Sequence, residues 1–296
     1  MTARIIGIGA YAPEQVVTNQ DLTKFLDTND AWIRERTGIG ARHVSTSEGT
    51  SALATEAAKR AIADAGISPE EIEIVIVATS SPDRAFPSAA ADVQGAIGAK
   101  HAVAFDITAA CSGFIYALHI VQGFIQAGIY KTALIIGAET LSKVLDWTDR
   151  SSCILFGDGA GAAVVRADET GVVKTLVGSD GTKNDVLYCQ ARSLENCLTG
   201  GKPELGFMQM DGQEVFKFAV KKVPEIVNAI LEETGTDREA VQHYLLHQAN
   251  IRILEAAFAP SEGSDGQDSG QYRALRQYVG GFDCRFSWMK CTGTDA

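Results

Sequence analysis

A unit of helix, glycine, acidic loop and strand occurs twice in this sequence, and it constrains the fold more than any other feature. In the first copy, helically spaced apolar residues lead through Gly66 to the run 72–78, Ile-Glu-Ile-Val-Ile-Val-Ala. In the second copy, a similar helix leads through Gly235 to residues 241–246. Aligning the glycines also matches Glu70 with Glu239, Ile72 with Val241 and Val77 with Leu246. Because a short, nearly continuous apolar run is typical of a strand covered on both faces, the repeat predicts a duplicated α/β fold.

Further strand and helix patterns fill the first half of the chain. We predict strands near residues 5–9, 102–107 and 133–137, and a helix over residues 111–127. Pro224 lies inside the helical pattern of the second copy and predicts a kink or a join between two helices. The alternation of strands and helices with short connections indicates helices layered around a buried sheet.

The composition excludes several classes of protein. A formal net charge of −11 leaves no basic field to offset phosphate repulsion, which argues against a nucleic-acid partner. No apolar run is long enough to span a bilayer, and Met1 leads directly into a strand pattern without a signal peptide. The six cysteines form no CxxC pair. We therefore expect reduced thiols, a cytoplasmic protein and no metal site.

Cys111 is a candidate nucleophile because it lies where a predicted strand gives way to a long apolar helix, in the segment 109–114 (Ala-Ala-Cys-Ser-Gly-Phe). The positive end of a helix dipole favours the thiolate form of a cysteine. A free cysteine is, however, often only a small buried hydrophobic residue. Its placement alone leaves both interpretations open.

His247 is a second candidate, in the segment 247–250 (His-Gln-Ala-Asn) that follows the second predicted strand. An imidazole at the carboxyl end of a strand is placed to donate a hydrogen bond into a cleft. A loop histidine with a purely structural role is the simpler explanation for His247, as is a helix cap for Asn250.

Residues 157–161 (Gly-Asp-Gly-Ala-Gly) are rich in glycine but lack the Lys-Ser/Thr of a phosphate-binding loop. Apolar, strand-like residues flank them on both sides. We interpret this segment as a tight turn between two strands.

Four segments, taken in order, carry a resemblance to one family. They are 28–39 (Thr-Asn-Asp-Ala-Trp-Ile-Arg-Glu-Arg-Thr-Gly-Ile), 109–114, 157–162 and 247–252. Together they resemble β-ketoacyl-acyl-carrier-protein synthase III, and the similarity runs from about Ile5 to Phe258. The resemblance implies a thiolase fold with a layered α-β-α-β-α architecture, normally a homodimer. It places a first half at residues 1–168 and a partial second half at residues 169–258.

The same resemblance implies the chemistry of the site. Cys111 would take the acetyl group of acetyl-CoA as a thioester. His247, together with an asparagine, would polarise the malonyl thioester of the acyl carrier protein while CO₂ is lost. The resulting enolate would attack acetyl-Cys111 and give acetoacetyl-carrier protein. No metal or redox cofactor takes part in this scheme.

Positions for binding CoA also follow from the resemblance. Trp32 and Arg150 would hold the adenine of CoA between them, and Arg36 and Asn250 would contact other parts of the molecule. Arginine and tryptophan both stack well on flat π systems. A partly buried surface tryptophan with solvated arginines is the alternative.

Two protein contacts are implied in the same way. Gln248, Arg252 and Lys217 match positions that face the acidic carrier protein, which requires a local basic patch on an acidic enzyme. Phe86 matches a residue that reaches across the dimer into the acyl pocket of the partner subunit.

The resemblance stops near Phe258. Residues 259–296 show no family pattern and begin with a polar, glycine-rich run, so we expect an aberrant, disordered tail and an incomplete second half. The family's Asn-Thr-Ser-Ala-Ala-Ser, which supplies the catalytic asparagine, is absent. A DNA string that encodes residues 275–284 gives Tyr-Gly-Asn-Thr-Ser-Ala-Ala-Ser-Ile-Ala when it is read one base later. We therefore hypothesise a frameshift near Ala259, and expect poor folding and little condensation activity.

Two other functions remain open from the sequence. One is a different acyl-CoA condensing enzyme of the thiolase superfamily, such as a polyketide starter synthase or a hydroxymethylglutaryl-CoA synthase-like protein. Residues 32–39 and 247–250 favour synthase III over these. The other is a catalytically silent protein that forms dimers with an intact copy. Acetylation of Cys111 by acetyl-CoA would distinguish an enzyme from a silent protein.

Overall fold

The computed structural model describes residues 1–172, 174–202 and 204–257. Its helices are α1 (Asn19–Leu22), α2 (Asp30–Thr37), α3 (Thr50–Ala65), α4 (Ala89–Ile97), α5 (Gly113–Gln126), α6 (Gly212–Thr234) and α7 (Ile251–Ala257). Its strands are β1 (Thr2–Tyr11), β2 (Val16–Thr18), β3 (Ala41–His43), β4 (Ile74–Ala78), β5 (Val103–Ile107), β6 (Thr132–Thr140), β7 (Asp158–Asp168), β8 (Leu187–Cys189) and β9 (Met208–Met210). In this part of the chain, no helix is both long enough and apolar enough to cross a bilayer.

A five-stranded sheet in the order β1-β7-β6-β4-β5 forms the centre of the first half. Strand β4 pairs in parallel with β5 and β6, whereas β7 runs antiparallel to β1 and β6. Every residue of β4 is buried. Val75 and Val77 belong to one core cluster, and Ile74 and Ile76 to another. The strand is thus covered on both faces, as its sequence predicts.

Helices cover both faces of this sheet. Helices α3 and α4 form one core cluster with it, and α5 forms the other. Helix α3 lies very close to β1 because two glycines face it. A Cβ atom built on Gly9 would lie 2.2 Å from the carbonyl oxygen of Ala57, and one on Gly7 would lie 2.4 Å from the amide nitrogen of Ala65. These contacts explain the glycines of β1 by backbone approach rather than by a turn.

Replacing Gly9 with alanine should lower the free energy of unfolding by about 1–3 kcal/mol, because the added methyl group forces α3 away from the sheet. Chemical denaturation would measure the change. Gly161→Ala is a matched control, since Gly161 lies on the neighbouring strand and a Cβ atom there meets nothing within 4 Å. Equal stabilities for the two variants would contradict the close packing of α3 on β1.

A third core cluster holds α1 and α2 against the segment before β7. Its buried members include Leu22 and Ile33 on the helices and Leu145 and Ile154 on the segment. Trp32 packs against this cluster from its edge. The cluster thereby brings helix α2 next to the chain around Arg150.

The internal repeat predicted from the sequence appears in the backbone as far as the end of its acidic loop. Gly66 and Gly235 both end a long helix in the left-handed conformation, with φ of 65° and 62°. A short 3₁₀ turn follows each glycine, at Pro69–Glu71 and at Arg238–Ala240. The two copies therefore share their helix cap and loop geometry.

The two copies differ at the strand. Residues 74–78 form β4, but residues 241–246, for which the sequence predicts the equivalent strand, adopt no regular structure. Strand β4 is hydrogen-bonded to a neighbour on each side. Among the described residues, no strand pairs with 241–246. Because a strand needs a neighbouring strand to pair with, apolar composition alone does not make a segment a strand.

One of the two alternatives for Pro224, the join, is wrong, and so is the interpretation of residues 157–161 as a turn. Helix α6 runs through Pro224 as one continuous helix, so the predicted join between two helices is not found. The glycine-rich segment 157–161 is not a turn between strands, because residues 158–161 begin β7, which lies between β1 and β6. Its Asp158 is buried and accepts hydrogen bonds from the backbone of Ser45 (2.7 Å) and Ser142 (2.9 Å). The predicted tail and its alternative reading frame lie outside the described residues.

Candidate active site

The carboxyl ends of β4, β5 and β6 meet at one edge of the sheet. The last residue of β4, Ala78, pairs with Ile107 on one side and with Gly137 on the other. The chain segments that leave these strands therefore converge on the same region. Ligands of open parallel sheets commonly bind at this edge.

Cys111 lies at this edge, in a 3₁₀ turn (Ala110–Ser112) between β5 and α5. Ala110 has φ of 44°, a left-handed conformation that is uncommon outside glycine and that often marks a functional turn. A Cβ atom built on Gly113 would lie 2.7 Å from the Cβ of Ala78, so the turn sits directly against the end of β4. The tight turn presents Cys111, which is exposed, at the surface of the site.

The protonation of Cys111 differs from the sequence-based expectation. The helix dipole predicts a lowered thiol pKa, but burial of the sulfur raises the pKa of Cys111, and the negative charge of Glu139 raises it further. The residue keeps access to solvent on one side while protein surrounds most of the thiol. This environment thus favours the thiol over the thiolate.

His247 lies in the irregular segment that leads into α7. Burial lowers the pKa of its imidazole, so the ring is neutral at neutral pH. In the described part of the chain, the ring makes no hydrogen bond to a neighbouring group. A neutral imidazole has one N–H to donate and one nitrogen that accepts.

The expected CoA-binding residues Trp32, Arg36 and Arg150 lie together. The guanidinium carbon of Arg36 is 4.5 Å from the centroid of the Trp32 ring, and that of Arg150 is 5.3 Å from it. Arg150 is held by a hydrogen bond of 2.6 Å to the carbonyl oxygen of Asp27. The side chain of Asn29 accepts from the backbone of Trp32 at 2.8 Å and starts α2. These contacts make a cationic, aromatic surface beside α2.

Asn250 takes the simpler of its two predicted roles in the structure. Its side-chain oxygen accepts a hydrogen bond of 2.9 Å from the backbone of Arg252, which caps α7. Helix α7 in turn contacts α2, the helix of Trp32. The side-chain oxygen of Asn250 is thus engaged by the helix that follows it.

The residues expected to face the carrier protein lie on α6, on α7 and just before α7. The guanidinium of Arg252 lies 5.1 Å from the ring centroid of Phe216, and the ammonium of Lys217 lies 2.8 Å from a carboxylate oxygen of Glu214. Gln248 is exposed. The basic groups are thus on one surface, although Lys217 is partly neutralised by its own helix.

Phe86 is 85% exposed, which is unusual for a phenylalanine and is typical of a residue at a protein–protein interface. It lies between β4 and α4. Its contact with a second subunit stays a prediction.

Sequence reasoning missed Glu139, which lies at this same edge at the end of β6. Its carboxylate accepts hydrogen bonds from the backbone of Ser80 (2.8 Å) and from the hydroxyl of Ser81. Burial raises the pKa of Glu139 in spite of these donors. The signal in the sequence is an acidic residue directly after the apolar run 133–138, at a predicted strand end.

Comparisons with known proteins give a consistent match. Residues 105–181 match the sequence profile of 3-oxoacyl-[acyl-carrier-protein] synthase III. The β-ketoacyl-[acyl-carrier-protein] synthase III of Clostridium acetobutylicum is 51% identical over 258 residues, which cover 86% of this chain and 79% of that protein.

Solved structures agree with the sequence matches. The 3-oxoacyl-[acyl-carrier-protein] synthase III of Aquifex aeolicus superimposes with a TM-score of 0.79 at 45% identity, over 86% of this chain and 79% of that one. The priming β-ketosynthase of the R1128 polyketide pathway has the same TM-score at 33% identity, over 86% and 77% of the two chains. These matches confirm the fold class expected from the sequence.

Proposed function

The chain belongs to the β-ketoacyl-acyl-carrier-protein synthase III family of condensing acyltransferases, and we propose that it starts fatty-acid synthesis by condensing acetyl-CoA with malonyl-carrier protein. The product is acetoacetyl-carrier protein. The observation that carries this proposal is the exposed Cys111 in a strained turn where three strand ends converge. The identity of 51% to the synthase III of Clostridium acetobutylicum, against 33% to the polyketide priming enzyme, favours acetyl-CoA and carrier-protein substrates.

In the first half-reaction, the sulfur of Cys111 attacks the carbonyl carbon of acetyl-CoA. A bond forms between sulfur and the acetyl carbon, and the bond from that carbon to the CoA sulfur breaks. The thiol proton leaves with the CoA thiol. Because the pKa of Cys111 is raised, a nearby base must accept the proton before CoA departs, and the neutral His247 is the candidate for this role.

In the second half-reaction, malonyl-carrier protein loses CO₂, and the electrons of the broken bond form an enolate. A hydrogen bond from the N–H of His247 to the thioester oxygen stabilises the developing charge. The enolate carbon attacks the acetyl carbon on Cys111, and the Cys111 sulfur leaves as thiolate. Burial lowers the pKa of His247, which favours the neutral ring that donates this hydrogen bond. In the family an asparagine donates a second hydrogen bond, and the alternative reading frame would encode it.

The experiment that tests this proposal supplies isotope-labelled acetyl-CoA and malonyl-carrier protein together. We expect labelled acetoacetyl-carrier protein, in an amount that depends on the C-terminal reading frame, and none when either substrate is omitted. Release of the label as free acetate, without any carrier-protein product, would contradict a condensing function.

For the binding of CoA, the proximity of Trp32, Arg36 and Arg150 supports an adenine site. The two guanidinium groups lie within cation–π range of the indole, so an adenine that stacks here meets both a flat ring and positive charge. Acetyl-CoA is proposed as a substrate, and no resident cofactor is required.

Trp32→Ala should raise the KM for acetyl-CoA roughly 3- to 30-fold, which corresponds to about 0.5–2 kcal/mol of lost stacking. An acetyl thioester of pantetheine lacks the nucleotide, so its KM should not change. Arg34→Ala is the control variant, because Arg34 is on the same helix but is engaged with Asp30 at 2.8 Å. If Trp32→Ala raised the KM values for acetyl-CoA and for the pantetheine thioester equally, Trp32 would be a structural residue only.

The remaining partners are proposed on the same basis. Gln248, Arg252 and Lys217 contribute the surface that receives the acidic carrier protein, and the exposed Phe86 contacts a second subunit in a homodimer. Reaction with a soluble carrier protein fits a cytoplasmic location.

A further inference from the structure

Arg42, the central residue of β3, carries a buried positive charge that no carboxylate balances. The residue is 2% exposed, and its Nε atom is buried without a hydrogen-bond partner. In the described part of the chain, its hydrogen bonds all go to neutral oxygen atoms. Burying a charge without a counter-charge costs free energy, and an arginine cannot escape the cost by losing its proton. The guanidinium therefore indicates a role other than filling the core.

The guanidinium of Arg42 joins three separate parts of the chain. Its Nη1 donates to the carbonyl oxygen of Val17, on the neighbouring strand β2, at 3.2 Å. Its Nη2 donates to the side-chain oxygen of Asn19 at 3.0 Å and to the carbonyl oxygen of Ile154 at 2.8 Å. The planar fork of an arginine holds such acceptors in fixed relative directions. Arg42 therefore ties the start of α1 to the segment that precedes β7.

Asn19 extends this connection to α2. The residue is fully buried, and its Nδ2 donates to the carboxylate of Asp30 at 2.8 Å and to the carbonyl oxygen of Ile39 at 2.7 Å. Asp30 is the first residue of α2, and Ile39 comes just after the glycine that caps its other end. The nitrogen of one amide thus holds both ends of α2, while its oxygen holds Arg42.

The other acceptor of Arg42 lies directly after the turn that carries Arg150. The backbone N–H of Cys153 donates to the carbonyl oxygen of Asp149 at 3.1 Å, which closes the turn around Arg150. Ile154 is the next residue, and it is buried in the cluster that packs α1 and α2 against this segment. A shift of the Ile154 carbonyl group therefore moves the turn of Arg150 with it.

We propose that Arg42 and Asn19 are positioning residues for CoA, which set the spacing between α2 and the turn of Arg150. Trp32 is on α2, so this spacing decides whether Trp32 and Arg150 can both contact one adenine ring. Contact groups that are held in place before the ligand arrives bind it more tightly, because less freedom is lost on binding. The inference rests on the adenine site proposed above and adds the residues that build it.

The binding of CoA, measured by titration calorimetry, tests the proposal without acetyl transfer or condensation. Arg42→Met keeps much of the side-chain volume but removes the donors, and it should raise the Kd for CoA roughly 3- to 10-fold as part of the stacking is lost. Iodoacetamide should alkylate Cys111 in this variant as fast as in the unaltered chain, because the turn of Cys111 is not held by Arg42. Arg60→Met is the matched control, since Arg60 also donates to a backbone carbonyl group, that of Ala10 at 2.7 Å, but joins α3 to β1. An unchanged Kd in Arg42→Met, or a changed alkylation rate, overturns the proposal.

Asn19→Asp tests the same link from its other side, because it keeps an oxygen for Arg42 and replaces the nitrogen that holds α2. Its Kd for CoA should rise by a similar factor. In the Trp32→Ala background, either substitution should weaken CoA binding less than it does alone, since both act through the adenine site. Equal losses in the two backgrounds would overturn the positioning role. An unaltered chain that binds no CoA would overturn the adenine site and this inference together, whereas one that binds CoA without condensing would overturn only the condensing function.

Discussion

Cys111→Ser should abolish the release of CoA from acetyl-CoA, with a rate at least about a thousandfold below that of the unaltered chain. Serine keeps the size and the turn geometry, but its hydroxyl is a far weaker nucleophile than a cysteine thiol. The release of free CoA thiol after rapid mixing measures the effect. Because only one acetyl group is carried by each site, the release should be stoichiometric when malonyl-carrier protein is absent.

Cys189→Ser is the matched control for this experiment, since Cys189 is also an exposed free cysteine, on β8. Its CoA release should equal that of the unaltered chain. If Cys111→Ser retained stoichiometric release while Cys189→Ser lost it, the acyl group would be carried elsewhere and the proposed mechanism would be wrong.

Restoring the alternative reading frame from about codon 259 should raise condensation activity on the order of 10²- to 10³-fold, the usual value of one hydrogen-bond donor to a developing oxyanion. The restored frame would place the family's asparagine alongside His247. It would also supply the family's closing strands, beside which residues 241–246 could form the strand that their sequence predicts. The rate of acetoacetyl-carrier protein formation measures the gain.

The same frame change in the Cys111→Ser background should give no condensation, which excludes an effect of expression or solubility alone. Equal condensation rates for the two reading frames would show that residues after Phe258 take no part in the reaction. DNA sequencing across the codons for residues 258–284 decides separately whether the frameshift is real.

The comparison between β4 and residues 241–246 shows what sequence can predict about this fold. Both segments are apolar, and both follow a helix, a left-handed glycine and a 3₁₀ turn. The local features, which depend on neighbouring residues, are predicted in both copies. Only β4 has strands on both sides, and strand pairing joins residues far apart in the chain. The local pattern therefore predicts the cap and the loop but cannot decide the strand.

In the candidate site, too, the sequence predicts local features but not those that depend on tertiary packing. The sequence predicts the position of Cys111 between a strand and a helix. Through the family resemblance, it also predicts that Trp32 lies near cationic residues. The sequence does not predict that the pKa of Cys111 is raised. The helix dipole is a local property, whereas burial and the charge of Glu139 depend on tertiary packing. Glu139 was missed for the same reason, since only the register of β6 on β4 places it at the sheet edge where the Cys111 turn lies.

The measurement that tests the central claim most directly is the location of the acetyl group after this chain is incubated with acetyl-CoA alone. Proteolysis and mass spectrometry should find one acetyl group, as a thioester on the peptide that contains Cys111, and hydroxylamine should remove it. Acetyl groups found only on lysines or on other cysteines, with the Cys111 peptide unmodified in folded protein, would contradict the account.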